Sequence, residues 1–453
     1  MIINPDVAII FRTHYWNENT IHLAKRLYGQ SAGYRFFVLC DETRGEINVH
    51  PFDKISHTDD FKSIGLQPNR GHTPNLWWDG DCVFYFIRKA LPDIKYFFVV
   101  ENDCYLNVDL DKIIKRMIDN NVDLVGYIYD FKEGDWPQKT VEPYFDKVKQ
   151  MFFPFIGISA KLIDKSYVER KRILGLHEKD PDKYPWPFCE AIISSVAVSN
   201  NMKFIDISEF LNVDRFKYRP HLYMNSGIVN IPNSICHPVS GYDFLEKRIE
   251  NIGVMEVFDD FSDLSLSLQT LDKSYFMPII ERAVLKLRDP EKLKTFWNVA
   301  LARNWINELP RLNLAFAMPC QQSSISEWSI AGDTVSDAEL ANNEIYKDDN
   351  YNHTGVENDP WWQVFFEKTI RVRNVIIVPR PFLFERMNKF KVSVSQDGET
   401  WNDVYMKDDE SPILKVGMRF FPISFDDEIY AKYLRVTCLG HTAIHFIQVK
   451  VFS

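Results

Sequence analysis

Beyond residue 339, apolar and polar residues alternate with a period of two, and Pro, Gly, Asn and Asp break the runs. Such a chain can pair into short β-strands joined by turns, whereas a helix would scatter the same residues over every side. The pattern runs through ELANN (339–343), HTGVENDPWW (353–362), IRVRNVIIVPR (370–380), FKVSVSQDGETW (390–401) and KYLRVTC (432–438). Asp397-Gly398, between two of these runs, predicts a hairpin. The second of two Trp-Trp pairs, about 280 residues apart, falls here. Trp361 and Trp362 follow a Pro turn and are expected in the core.

At 453 residues the chain exceeds what one core supports, so two or three domains are expected. Its 45% hydrophobic and 26% charged residues are those of a soluble globular protein. A net charge of −10 excludes nucleic acid as the main partner, because phosphate binding needs basic surface. The basic run KSYVERKRILG (165–175) reads as the solvated face of a helix. MIINPDVAII has neither a basic leader nor a small-residue cleavage site and reads as a buried strand. No apolar run reaches the ~18–20 residues of a membrane span. Seven scattered cysteines without a CxxC predict reduced thiols and a cytoplasmic location.

From 1 to about 240, short apolar runs alternate with helical patterns: VAIIFRTHY (7–15), RFFVLCDE (35–42), YFFVVEND (96–103), DLVGYIYD (123–130) and MKFIDI (202–207). Near-continuous hydrophobicity predicts strands covered on both faces, as in a parallel α/β sheet. NTIHLAKRLYG (19–29), closed by Gly29, and VDLDKIIKRMIDNN (108–121) read as helices between them. Ligands of such sheets bind beyond the carboxyl ends of the strands, which here carry Arg12, Thr13, Asp41, Glu101 and Asp103. Glu101 and Asp103, two apart on an extended chain, project to one side and can chelate Mg²⁺ or Mn²⁺ through oxygen. Residues 243–310 turn helical and charged and carry no obvious chemistry.

The order of the β-rich segments resembles discoidin-type domains, the jelly-roll modules of coagulation factors and fucose-binding lectins. That resemblance covers 315–453 and implies a ligand-binding module. In the fucose-binding relatives a His and two Arg hold the sugar, and His353, Arg380 and Arg386 sit in comparable segments. The relatives' vicinal cysteines are missing, which speaks against fucose. Their closing CEVEV reads IQVKV (447–451) here, so Gln448 stands where a calcium-binding carboxylate would, which speaks against calcium.

The N-terminal part resembles GT-A nucleotide-sugar glycosyltransferases, in which an acidic motif ending the central strand holds the metal on the donor diphosphate. Here that motif reads Glu-Asn-Asp. GHTPNLWWDGDCVFYFIRKAL (71–91), FFPFIGISAKLI (152–163), PWPFCEAIISSVAVSNNMKFIDI (185–207) and SICHPVSG (234–241) match the family's layout in order. The resemblance implies Asp103, Glu101 and His237 as ligands of a divalent cation and Glu190 as the base of an inverting transfer. Aromatic residues flanking Glu190 would form a sugar-stacking platform. Arg12, Thr13, Asp41, Trp78 and Asp81 would line the donor site.

The expected architecture is an α/β GT-A (Rossmann-like) domain at 1–242, a helical connector at 243–314 and an all-β discoidin-like jelly roll at 315–453. The expected activity is metal-assisted transfer of a sugar from a nucleotide-sugar donor to a glycan acceptor, of the kind used in bacterial surface polysaccharide or lipopolysaccharide synthesis. The alternatives are a non-catalytic, lectin-like protein and a glycoside hydrolase carrying a binding module.

Overall fold

The computed structural model describes residues 3–66, 75–132, 134–224, 227–241, 243–347, 349–414 and 418–453. Gly71–Pro74, which open the predicted Trp-Gly-Asp segment, lie outside the described residues, as does Tyr242, the expected domain limit. The chain divides into two compact units, residues 1–248 with 259–272, and 249–258 with 273–453. The helical stretch after 243 is thus shared between them.

The first unit is built on β1 (Asn4–Thr13), β2 (Tyr34–Asp41), β3 (Lys54–His57), β4 (Tyr96–Glu101), β5 (Tyr105–Asn107), β6 (Leu124–Tyr129), β7 (Gln150–Ser159) and β8 (Phe204–Asp206). All except β5 form one sheet in the order β3-β2-β1-β4-β7-β6-β8. Both faces are covered, and the strand period decides which residue faces which core. Ala8 and Ile10 enter one apolar cluster with Phe97 and Val99, while Val7, Ile9 and Phe11 enter the other with Phe98 and Val100. Helices Glu18–Gln30 and Leu110–Asp119 confirm the two helical readings. The first runs past Gly29 and ends at Ser31, because Gly29 keeps helical geometry and the positive-φ glycine is Gly33.

The sheet is mixed rather than parallel. Strand β7 runs antiparallel to both neighbours, β4 and β6. Among the described residues, the segment between β6 and β7 holds only the short helix Trp136–Lys139. It makes no long helical crossover, so the chain returns antiparallel. Outside the sheet, β9 (Leu222–Tyr223) pairs in parallel with β11 (Val239–Ser240), while β10 (Ser234–Cys236) pairs with β5.

The second unit contains helices Lys273–Leu285 and Pro290–Ala302 and an antiparallel β-structure. Its strands are β12 (Cys320–Gln322), β13 (Glu357–Asn358), β14 (Trp361–Pro379), β15 (Phe390–Ser395), β16 (Asn402–Lys407), β17 (Phe421–Cys438), β18 (His441–Thr442) and β19 (Phe446–Phe452). Strands β14 and β17 are long, so segments that read as separate short strands are continuous. Register shifts between Phe365 and Ile370 and between Val372 and Asn374 take the place of turns. The predicted hairpin joins β15 to β16: Asp397 accepts from the amides of Glu399 and Thr400, and Gly398 supplies φ +83°. Trp362 is fully buried and donates to the Ala338 carbonyl at 2.9 Å. Trp361 points to the opposite face, where the Arg435 guanidinium lies 4.4 Å above its ring. All seven cysteines are free and buried. No described helix is long and apolar enough to cross a membrane.

Candidate functional site

The strand order reverses at β1, with β2 on one side and β4 on the other. This is the switch point at which open α/β sheets bind ligands. Arg12 and Glu101 are register partners at the carboxyl ends of β1 and β4, and their side chains form an ion pair of 2.9 Å. Just beyond, the short β5–β10 ladder carries the chain from Cys236 into His237, and the Val239 amide donates to the Asp103 carbonyl at 2.7 Å. These contacts bring ligand atoms of Glu101, Asp103 and His237 within 4.8 Å of one another.

The imidazole of His237 is oriented from behind. Its Nδ1–H donates to the Lys217 carbonyl at 2.8 Å, so Nε2 faces Asp103 Oδ1 at 3.4 Å. Burial acts to lower the His237 pKa, but the carboxylates of Asp103 and Glu101 outweigh it and the net shift is upward. Two carboxylates and one imidazole form a donor set that suits Mn²⁺ or Mg²⁺. Between the two carboxylates, the Asn102 side-chain amide nitrogen is buried and has no hydrogen-bond partner among the described residues.

Glu190 occupies the first turn of helix Cys189–Ser199. Burial pushes its pKa up to about 7, against hydrogen bonds from Gln150 and the Phe153 backbone. The flanking aromatics do not form the expected open platform. Trp186 is buried, donating from Nε1 to Asp79 at 2.6 Å and covered by the Arg170 guanidinium. Phe188 is buried beneath Trp77, Trp78 and Trp136. The exposed rings are Trp77 and Trp136, stacked at 6.3 Å.

Of the remaining predicted donor residues, Asp81 is a correction. It is fully buried in a two-pronged ion pair with Arg170 at 2.6 and 2.8 Å and also accepts from the Tyr85 hydroxyl. Its lone pairs are thus consumed inside the core. Arg170 belongs to the basic run read as a solvated face and is the one buried basic residue in it. Thr13 is buried, with its hydroxyl bonded to the Tyr15 carbonyl. Asp41 caps a turn through Thr43. Trp78 donates to the Trp186 carbonyl at 3.3 Å and packs on Phe188, two residues from Glu190. Sequence reasoning missed His221. Its Nδ1 lies 2.9 Å from Asp263, which also pairs with Arg248, and the β9–β11 ladder sets His221 beside Pro238.

In the second unit, His353, Arg380 and Arg386 do converge, together with two residues that sequence reasoning missed. The rings of His353 and His445 lie 3.9 Å apart. Arg386 Nη1 donates to His445 Nε2 at 3.0 Å, and the Arg380 guanidinium lies 4.2 Å over the Tyr351 ring. Burial and the two guanidiniums hold His353 down to about 4. Burial, His353 and the same guanidiniums hold His445 down to about 3. His445 was detectable only as a second His in HTAIHFIQVKV, ahead of the last strand.

Gln448 is fully buried. Its amide nitrogen donates to Asn343 Oδ1 and to the Leu340 and Ile345 carbonyls, the same three oxygens that Asn350 Nδ2 bonds. Two amide groups thus fill this nest of oxygens, and no carboxylate joins it among the described residues. Asp348, nearby in sequence, lies outside them.

Residues 321–448 match the F5/8 type C domain, so the C-terminal part of the chain is a discoidin-type all-β domain. Similar solved structures include a fucose-binding module from Streptococcus pneumoniae, with 23% identity over 31% of this chain and 95% of its own, TM-score 0.26. A fucolectin from Morone saxatilis (striped bass) serum shares 18% identity over 32% of this chain and 49% of its own, TM-score 0.28. The family 32 carbohydrate-binding module of Clostridium perfringens NanJ, solved with galactose, shares 15% over 30% and 93%, TM-score 0.24. No curated protein matches the chain.

Proposed function

We propose that the first unit transfers a sugar from a nucleotide-sugar donor to a glycan acceptor and that the discoidin-type module binds carbohydrate. The observation that carries the transferase reading is the meeting of Glu101, Asp103 and His237 at the switch point of the sheet. Asp103 and His237 would hold a divalent cation, with Glu101 beside them; the cation would neutralise charge on the departing nucleoside diphosphate. Arg12 fixes Glu101 and adds positive charge where the phosphates would lie. Glu190, with a pKa near neutrality, takes the proton of the acceptor hydroxyl. The acceptor oxygen then bonds to the anomeric carbon while the bond to the diphosphate oxygen breaks.

A second reading is a lectin-like protein without catalysis. The Arg12–Glu101 pair favours it, because it occupies one oxygen of a would-be ligand. Incubation of the full chain with a panel of nucleotide sugars, Mn²⁺ and oligosaccharide acceptors, followed by measurement of released nucleoside diphosphate, separates the two. Release that depends on metal and acceptor supports the transferase. No release with any donor, alongside retained glycan binding, leaves the lectin-like reading.

A further inference from the structure

No step of the transfer described above uses His221. The β9–β11 ladder pairs Leu222 with Val239, and the Leu222 amide donates to the Pro238 carbonyl at 2.8 Å. His221 therefore stands beside the turn that carries His237. Its ring is fixed by one carboxylate and one aromatic face. Nδ1 lies 2.9 Å from Asp263 Oδ2, the His221 backbone amide donates to Oδ1 at 3.3 Å, and Phe244 stacks on the ring at 5.3 Å and 20°. Burial works to raise the Asp263 pKa, but His221 and Arg248 outweigh it, and the group is held as a carboxylate. A carboxylate only accepts, so Nδ1 carries a proton and Nε2 is the atom left over. Nε2 has no hydrogen-bond partner among the described residues, and the side chain is 31% exposed.

Asp263 reaches this place by an unusual route. The chain leaves the first unit after Arg248, gives residues 249–258 to the second, and returns with 259–272. That return brings helix Asp263–Leu268 and its leading carboxylate onto His221. The ring also reaches the metal-ligand cluster electrostatically. Burial works to raise the Asp103 pKa, His237 lowers it most, and His221 adds to that lowering. A divalent cation already facing two carboxylates does not fully neutralise a departing diphosphate, and Arg12 is paired with Glu101. A further N–H beside the cluster supplies what is missing.

We propose that His221, oriented by Asp263, donates from Nε2 to the diphosphate of the nucleotide-sugar donor. This rests on the transferase reading of the first unit. With Asp263 on one nitrogen and a phosphate oxygen on the other, both ring nitrogens act as donors. When the bond from the anomeric carbon breaks, its electron pair stays on the diphosphate oxygen. His221 keeps its proton, and the acceptor's proton goes to Glu190. Asp263 touches no substrate and is a positioning residue.

Calorimetry of the full chain with UDP, GDP and CDP in Mn²⁺, then kinetics with the matching sugar donors, tests the assignment. His221→Asn keeps a donor for Asp263 and removes the Nε2 atom. Affinity for the nucleoside diphosphate that the wild type binds should fall about 10–100-fold, the loss of one charged hydrogen bond. Turnover should fall at least as far, because charge on the diphosphate grows in the transition state. His221→Gln, whose amide can stand near Nε2, should recover part of both. The double variant with Asp263→Asn should lose no more than His221→Asn alone, since Asp263 acts through the ring. Unchanged affinity and turnover in a folded His221→Asn variant, or additive losses in the double variant, overturn the inference and leave the transferase reading. Should His221→Asn fail to fold, unchanged affinity in Asp263→Asn overturns it equally. A wild type that binds no nucleoside diphosphate overturns both.

Discussion

The two units each hold imidazoles in an ionic cluster, but the surrounding charges have opposite sign. In the first unit His237 faces Asp103 and Glu101, and its pKa is raised. In the second, His353 and His445 face Arg380 and Arg386, and both are held neutral. The same side chain thus meets negative charge in one place and positive charge in the other. The comparison shows that a histidine's role follows from what a distant part of the chain brings against it. Burial alone does not separate the two cases, since His237, His353 and His445 are all buried.

The sharpest test of the first cluster is catalytic. Glu190→Gln keeps the shape and removes the base, so turnover should fall ~10²–10⁴-fold with donor affinity nearly unchanged. Asp103→Ala should instead abolish Mn²⁺-dependent nucleotide binding in calorimetry. Retained activity in the first variant would move the base to another residue. Retained metal-dependent binding in the second would erase the contrast between the clusters.

Next in size is the buried ion pair that removes Asp81 from the donor site. Asp81→Asn leaves Arg170 charged and half-paired at a fully buried position, and should destabilise the first unit by about 3–5 kcal/mol. Denaturation followed by a probe in that unit measures it, and a loss below about 1 kcal/mol would mean that the pair is dispensable.

In the module, Gln448→Ala leaves the nest's oxygens to Asn350 alone and takes the acceptor from the Glu344 amide, and should cost about 1–3 kcal/mol. Adding a chelator to the wild-type protein should leave the module's Tm unchanged, because amides fill the nest. A chelator-induced drop would restore calcium.

The smallest effects are those of pH, and they differ in kind between the clusters. Activity should rise with pH through an inflection near 7 as Glu190 loses its proton, and Glu190→Gln should remove that limb. For His353 and His445 the folded-state pKa lies below the unfolded value of 6.5. The unfolded chain therefore binds more protons as pH falls below about 6.5, and the module loses stability from there down to about 4 for His353 and about 3 for His445. Each imidazole contributes at most about 1.4 kcal/mol per pH unit in that window. Flat stability between pH 7 and 4 would show that the module's imidazoles are solvated.

Much of this was readable from the chain. The apolar runs located the buried strands, and their polar ends named Arg12, Glu101 and Asp103, because side-chain alternation and strand termination are local properties. The alternating pattern after 339 located the β-module, and Asp397-Gly398 located its hairpin. The direction of β7 was not readable, since its composition is that of a buried strand whichever way it runs. Nor was the fate of Asp81 and Arg170, two charged residues that look solvated until the core closes over both.

The sequence by itself determined which segments form strands, where β1, β2 and β4 end and which chemical groups stand there. Only the tertiary structure decided which groups meet: His237 with Asp103 through the β5–β10 ladder, and His445 with His353 at the end of the module. The physical reason is range. Periodicity and turn chemistry act over a few residues of covalent chain, whereas the meeting of distant side chains depends on closing long loops and packing whole faces, and no local pattern records that outcome.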